Sequence, residues 1–146
     1  MKVEINYKED VFEPKGSGVQ ITVNLPIISL LVAFKHQSGP YIPCYLDSGA
    51  TINLFPKDYA ITYLGFSEKT LNSGRESNVL GIGGVRKLAF GHLCTLHHPN
   101  FRLENTWIYF MEDQTIPLLG RLGFMNRFDS IVFNEKEKKL ELINPR

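Results

Sequence analysis

The sequence predicts an all-β fold: a small closed or nearly closed barrel carrying one or two short helices. Two observations carry that prediction. Short runs rich in Val, Ile, Leu, Phe and Tyr recur along the chain, separated by turn residues. At this density in 146 residues, such strands leave few exposed edges only if the sheet closes on itself. The length suits one domain spanning 1–146, with residues 1–18 as a strand and loop extension. A chain of this size can bury roughly 68–70% of its unfolded surface, so a core is within reach without metal or disulfides.

The elements follow in order. Residues 8–18 (KEDVFEPKGSG) are polar and contain Pro14, Gly16 and Gly18, which predicts a loop. Val19 to Asn24 alternates, with Val19, Ile21 and Val23 on one face. Ile28 to Phe34 is more continuously apolar, as a strand buried on both faces would be. A turn at His36 to Pro40 leads into an extended Tyr41 to Leu46, and the two strands form a hairpin that ends at Asp47. Pro56 to Gly65 reads as a short helix, with Pro at its start, Gly at a left-handed cap, and Ala60, Ile61 and Leu64 facing inward. Strands are expected near 77–96 and 101–111, and a second helix from Arg121 through Phe128. Ile131 to Phe133 and Leu140 to Ile143 close the chain as a hairpin.

Composition excludes several classes of function. With 43% hydrophobic and 21% charged residues the chain is ordinary for a globular domain. Net charge is +1 and the basic residues are scattered, which leaves no footprint for nucleic acid or an anionic membrane. The start, MKVEINYKED, has no apolar leader segment. The longest apolar stretch, Leu25 to Phe34, is interrupted by Pro26 and Ser29 and spans about half a bilayer. Two cysteines, Cys44 and Cys94, are too few for a disulfide framework, so a soluble, cytoplasmic setting is expected.

Three segments carry chemistry. Leu46-Asp47-Ser48-Gly49-Ala50 puts an acid directly after a buried strand, then turns where side chains are small. By itself Asp-Ser-Gly is also an ordinary turn composition. Gly81-Ile82-Gly83-Gly84-Val85 is a glycine-rich tip between apolar strands and matches no phosphate-loop pattern. Ile116 to Arg121 (IPLLGR) is an apolar run ending in glycine ahead of the second expected helix. The His92-Leu93-Cys94 to His97-His98 stretch has no second ligand cluster to complete a zinc site, so no metal is expected. Cys44 reads as a small buried hydrophobe, and Trp107 as strand core.

Together, and in this order, the three segments resemble the retropepsin-like aspartic peptidases of retroviruses, retrotransposons and their bacterial and cellular relatives. The resemblance spans about residues 19 to 143, and the final hairpin is more like the retrotransposon and bacterial branch. It implies a barrel of the retropepsin type and hydrolysis of peptide bonds without a cofactor. Asp47 would be the catalytic carboxylate. Ser48 would brace the turn across a two-fold axis, Gly49 would offer its carbonyl to substrate, and Ala50 and Leu118 would line the cleft. Gly81, Ile82, Gly83 and Gly84 would form a flap over the peptide. Hydrolysis by this route needs two carboxylates sharing one proton and one water. The chain has one Asp-Ser-Gly, so a homodimer would supply the second Asp47.

One position departs from the retroviral pattern. Those enzymes carry an acid two residues after the turn glycine, paired with the arginine after the later Gly. Here Thr51 stands in that place while Arg121 is kept, leaving Asp113, Asp129 or solvent to receive Arg121. Two other readings remain open: a catalytically silent peptide-binding or assembly module of the same fold, and a metal-binding β domain built on His92 to His98.

Overall fold

Pleated alternation is clearest in the two longest strands, Arg86–His98 and Phe101–Met111, which pair antiparallel and bury Ala89, Cys94, Leu96, Leu103, Ile108 and Phe110. The fold built around them is described by a computed structural model covering residues 1–81 and 83–146. The strands in order are β1 (Lys2–Asn6), β2 (Lys8–Phe12), β3 (Ile21–Leu25), β4 (Ile27–Phe34), β5 (Gln37–Ser38), β6 (Ile42–Leu46), β7 (Asn53–Pro56), β8 (Arg75–Leu80), β9 (Arg86–His98), β10 (Phe101–Met111), β11 (Leu118–Leu119), β12 (Ser130–Asn134) and β13 (Lys139–Ile143). Helices α1 (Lys57–Tyr63) and α2 (Glu68–Asn72) sit between β7 and β8. Neither is long and apolar enough to cross a membrane.

Six strands close a barrel in the order β4, β6, β11, β7, β10, β9 and back to β4. The seam is β4 itself. Its residues Ile27–Leu30 pair with Tyr45–Ile42 of β6, and Leu31–Ala33 pair with His97–Thr95 of β9. Ile28, Leu30, Phe55, Leu96, Leu103, Phe110, Leu119 and Phe124 fill the interior. β1, β13 and β12 form a separate sheet that seats Val3, Leu140 and Leu142 against the same core. The hairpins expected at Ile28–Leu46 and Ile131–Ile143 are both present.

Helix α1 starts after Pro56 and stops at Gly65, whose φ of +71° is the left-handed cap its sequence predicts. Ala60 and Leu64 are buried and Ile61 packs against the core, as expected. Two expectations are corrected and one helix is new. Lys8–Phe12 is a strand rather than a loop, paired with β3 from Lys8↔Leu25 to Phe12↔Ile21. Val11 and Phe12, the apolar residues of β2, are both exposed, so that strand writes no burial pattern into the sequence. The helix expected over 121–128 shrinks to a 3₁₀ turn at Met125–Arg127, because Gly123 takes φ +98° and breaks the run. Helix α2 went unforeseen, although Ser67 caps it by accepting a hydrogen bond from the Thr70 N–H at 3.1 Å.

The histidines are part of the packing. His92 is buried among Phe34, Phe66 and Phe110, with its Nε2 3.0 Å from the Leu71 carbonyl oxygen. His98 stacks on Phe101 at 4.7 Å. Among the described residues no three His, Cys, Asp or Glu side chains gather as a metal site would require.

Candidate active site

Strand β6 delivers Asp47 to the edge of the barrel. Beside it the short β11 runs parallel, pairing Leu118 with Tyr45 and Leu119 with Leu46. The Asp47 N–H donates to the Leu119 carbonyl at 3.0 Å, and the Ala50 N–H closes the turn onto the Asp47 carbonyl at 3.1 Å. Inside the turn, the Gly49 N–H donates to Asp47 Oδ1 at 2.8 Å. One carboxylate oxygen is therefore fixed by backbone and Asp47 stays half-exposed, while Ser48 and Gly49 are exposed and Ala50 half-buried. A carboxylate with one oxygen held this way has its second oxygen left to engage a water or another acid.

The chain after β11 crosses the Asp47 turn so closely that no side chain fits between them. The Arg121 N–H donates to the Ala50 carbonyl at 3.0 Å and the Leu122 N–H to the Thr51 carbonyl at 2.8 Å. A Cβ on Gly120 would lie 2.6 and 2.8 Å from the backbone carbon and nitrogen of Ile52. Glycine is the one residue that permits this crossing.

Asn53 locks the crossing from below. Its side chain is fully buried, accepts from the Gly120 N–H at 2.9 Å, and donates to the Trp107 carbonyl at 3.2 Å. Sequence reasoning missed it; its signal was a lone amide between Ile52 and the apolar pair Leu54-Phe55. A second missed contact answers the question raised by Arg121. Asp113 pairs with Lys87 and Asp129 with Arg146, so neither serves it. Arg121 Nε instead donates to the Ser48 carbonyl at 2.8 Å and grips the turn itself.

Strand β6 is also tied to the outlying ribbon. The Tyr45 hydroxyl, two residues before Asp47, donates to Asp10 Oδ2 at 2.5 Å, and that bond holds the Asp10 carboxyl below its usual range. Leu118 lies with Ile52, Val79 and Trp107 around a small apolar cluster of Leu54, Ala89, Tyr109 and Met111. This cluster joins Ile52 and Leu118, close to the Asp47 turn, to Val79 and Ala89 of the β8–β9 hairpin. At the tip of that hairpin the Gly81 N–H donates to Val85 and the Gly84 N–H to Gly81, at 2.8 and 3.2 Å. Gly83 and Gly84 take φ of +86° and +78°, with no atom within 4 Å of where a Cβ would stand. Ile82, the remaining expected tip residue, lies outside the described residues.

Trp107 lies in β10 and packs on the apolar cluster as expected of strand core, but it stays half-buried, with the Arg75 guanidinium over its ring at 3.9 Å. Cys44 and Cys94 are free and buried, and burial pushes both thiols up to about 12. A thiol so raised is no nucleophile near neutrality.

No protein-family model and no curated protein matches the sequence. Solved structures do match the fold. A retropepsin-like aspartic protease from Rickettsia conorii aligns over 97% of this chain and 98% of its own, with 20% identity and a TM-score of 0.63. The EIAV protease, solved with the inhibitor HBY-793, aligns over 67% of this chain and 83% of its own, with 18% identity and a TM-score of 0.49. The Rickettsia alignment, running nearly end to end, makes this a retropepsin-like fold.

Proposed function

We propose that the chain is an aspartic endopeptidase that acts as a homodimer on peptide or protein substrates. The observation that supports this best is the Asp47 turn. It holds a single carboxylate half-exposed at the edge of a retropepsin-like barrel, with one oxygen fixed by the Gly49 amide. One carboxylate cannot be both the base that activates water and the acid that polarises the carbonyl. Two copies related by a two-fold axis would set two Asp47 residues side by side, and at about 3 Å only one can ionise. The charged member takes a proton from water, and the protonated one donates to the scissile carbonyl oxygen.

In that dimer the exposed Ser48 hydroxyl bonds across the axis and the Gly49 carbonyl receives a substrate amide. The Gly81 to Gly84 tip acts as the flap, including Ile82. Ala50 and Leu118 form the base of a cleft that takes extended peptides with apolar side chains by strand addition. The two buried reduced thiols suit the cytoplasm.

The test joins oligomeric state to activity. Light scattering over a concentration series should show a dimer, and cleavage of a peptide library should track its population. Asp47→Asn should lower cleavage by about 10³-fold or more while leaving dimer formation and melting temperature in place. A monomer that stays inert at every concentration, or an Asp47→Asn variant as active as the parent, defeats the reading. The first outcome favours the silent peptide-binding module.

A further inference from the structure

A second binding feature lies beside the cleft floor. Ile52, Trp107 and Tyr109 belong to the apolar cluster that also takes in Leu118 and Val79, and they line a separate pocket of about 300 Å³ as well. The pocket thus shares three residues with the cluster on which Leu118, one strand over from the Asp47 turn, also packs. Its other walls are Arg75, Asn105, Thr106, Leu122, Gly123, Asn126 and Arg127, with no acidic residue among them.

Arg75 is held there with unusual definition for an exposed arginine. Its guanidinium stacks on Trp107 at 3.9 Å, and Nε and Nη2 both donate to the Tyr109 hydroxyl at 2.9 and 2.7 Å. A guanidinium has five N–H donors, so three remain free of that hydroxyl. Among the described residues Arg75 has no carboxylate partner. Arg127, the second cation of the pocket, is occupied by Thr106 Oγ1 at 2.8 Å and by the main-chain oxygen of Arg146 at 2.5 Å. In a chain of net charge +1, this pocket is one place where positive charge is concentrated and pre-oriented without an acid to balance it. A planar fork with its face covered and its edge open suits a carboxylate.

We propose that this pocket is a subsite for an acidic side chain of the bound peptide, placed away from the scissile bond and recognised by Arg75. The proposal rests on the peptidase reading for the identity of the ligand as a peptide. The apolar floor would take the residues flanking the cut, and the Arg75 pocket would require Glu or Asp at one outlying position. Substrates would then be apolar at the cut and acidic at its flank.

The test uses peptides sharing one apolar scissile pair, each carrying Glu at one flanking position, against partners carrying Gln there. Binding to full-length Asp47→Asn protein is followed by the fluorescence of Trp107, the only tryptophan, which lies directly under Arg75. Cleavage by the unmodified protein gives kcat/KM for the same pairs. At one position the Glu peptide should bind about tenfold tighter than its Gln partner, the weight of one charge-assisted hydrogen bond shared with water. That ratio should shrink with added salt, fall to near one in Arg75→Gln and survive in part in Arg75→Lys. Equal binding of Glu and Gln peptides at every position overturns the proposal. So does a Glu preference that persists in Arg75→Gln, or no binding of any peptide. If Asp47→Asn discriminates between Glu and Gln while the unmodified protein cleaves neither, the subsite stands and the peptidase reading falls. Cleavage without any Glu preference removes the subsite and leaves the peptidase reading standing.

Discussion

The Asp47 turn and the Gly81–Val85 tip both depend on glycine, for opposite physical reasons. At the turn, Gly120 is needed because another backbone occupies the space a side chain would take. At the tip, Gly83 and Gly84 have nothing within 4 Å, and glycine serves only the positive φ of the bend. One region is fixed from several directions, by Asn53, by Arg121 and by the backbone bonds to Leu119, Ala50 and Thr51. The other is held by bonds within its own loop. A catalytic acid has to stay where it is through the reaction, whereas a cover has to open for each substrate. The same residue type thus permits a close backbone crossing in one place and a left-handed bend in the other, as an acid and a cover of the kind proposed would need.

Substitutions should divide along this line. Gly120→Ala forces the crossing apart and should cost about 3 kcal/mol or more, visible as a large drop in melting temperature and loss of any cleavage. A variant that melts like the parent would show that the crossing can yield. Asn53→Leu keeps the volume but strands the buried Gly120 N–H and Trp107 carbonyl. It should cost about 2–3 kcal/mol in chemical denaturation, and an undiminished midpoint would deny Asn53 its bracing role. Gly83→Ala meets no atoms, so only the backbone preference is lost. About 1–2 kcal/mol of stability should go, with the larger effect on KM.

The last test asks whether opening of the tip, if it occurs, reaches the barrel. Cys44 lies in the strand leading to Asp47, and Cys94 in the strand that continues the hairpin. Burial raises both thiols from an ordinary 9.0 to about 12. The unfolded chain therefore gives up these protons first, so stability should fall as pH rises from about 9 towards 12. Below that window neither thiol should react with a disulfide reagent in the native protein. Rapid labelling of Cys94 alone would mean that the hairpin opens well below its tip.

Much of this was legible in the sequence because it is written as local pattern. The β4–β6 hairpin, α1 with its Gly65 cap and the closing hairpin each show their period or their punctuation. The Asp47 turn and the Leu118–Gly120 segment were also found, since Asp-Ser-Gly-Ala and Leu-Leu-Gly are contiguous. What escaped is non-local or unburied. Asn53 acquires its meaning from partners 67 and 54 residues away, and Arg121 from one 73 residues away. The alternation of β3 was legible, but its partner β2 buries no apolar residue and was read as loop. Gly123 stopped an expected helix through a backbone angle that its neighbours do not announce.

The seam strand β4 has a consequence for how such a molecule would survive its own activity. One eight-residue strand holds the strand leading to Asp47 through Ile27–Leu30 and the strand continuing the β8–β9 hairpin through Leu31–Ala33. Release of β4 would open the barrel and at the same time undo the register that presents the carboxylate. Disarming and becoming digestible are then a single event. In an enzyme of the kind proposed, a failing copy is removed by intact neighbours and not by itself, so self-digestion follows the frequency of encounters.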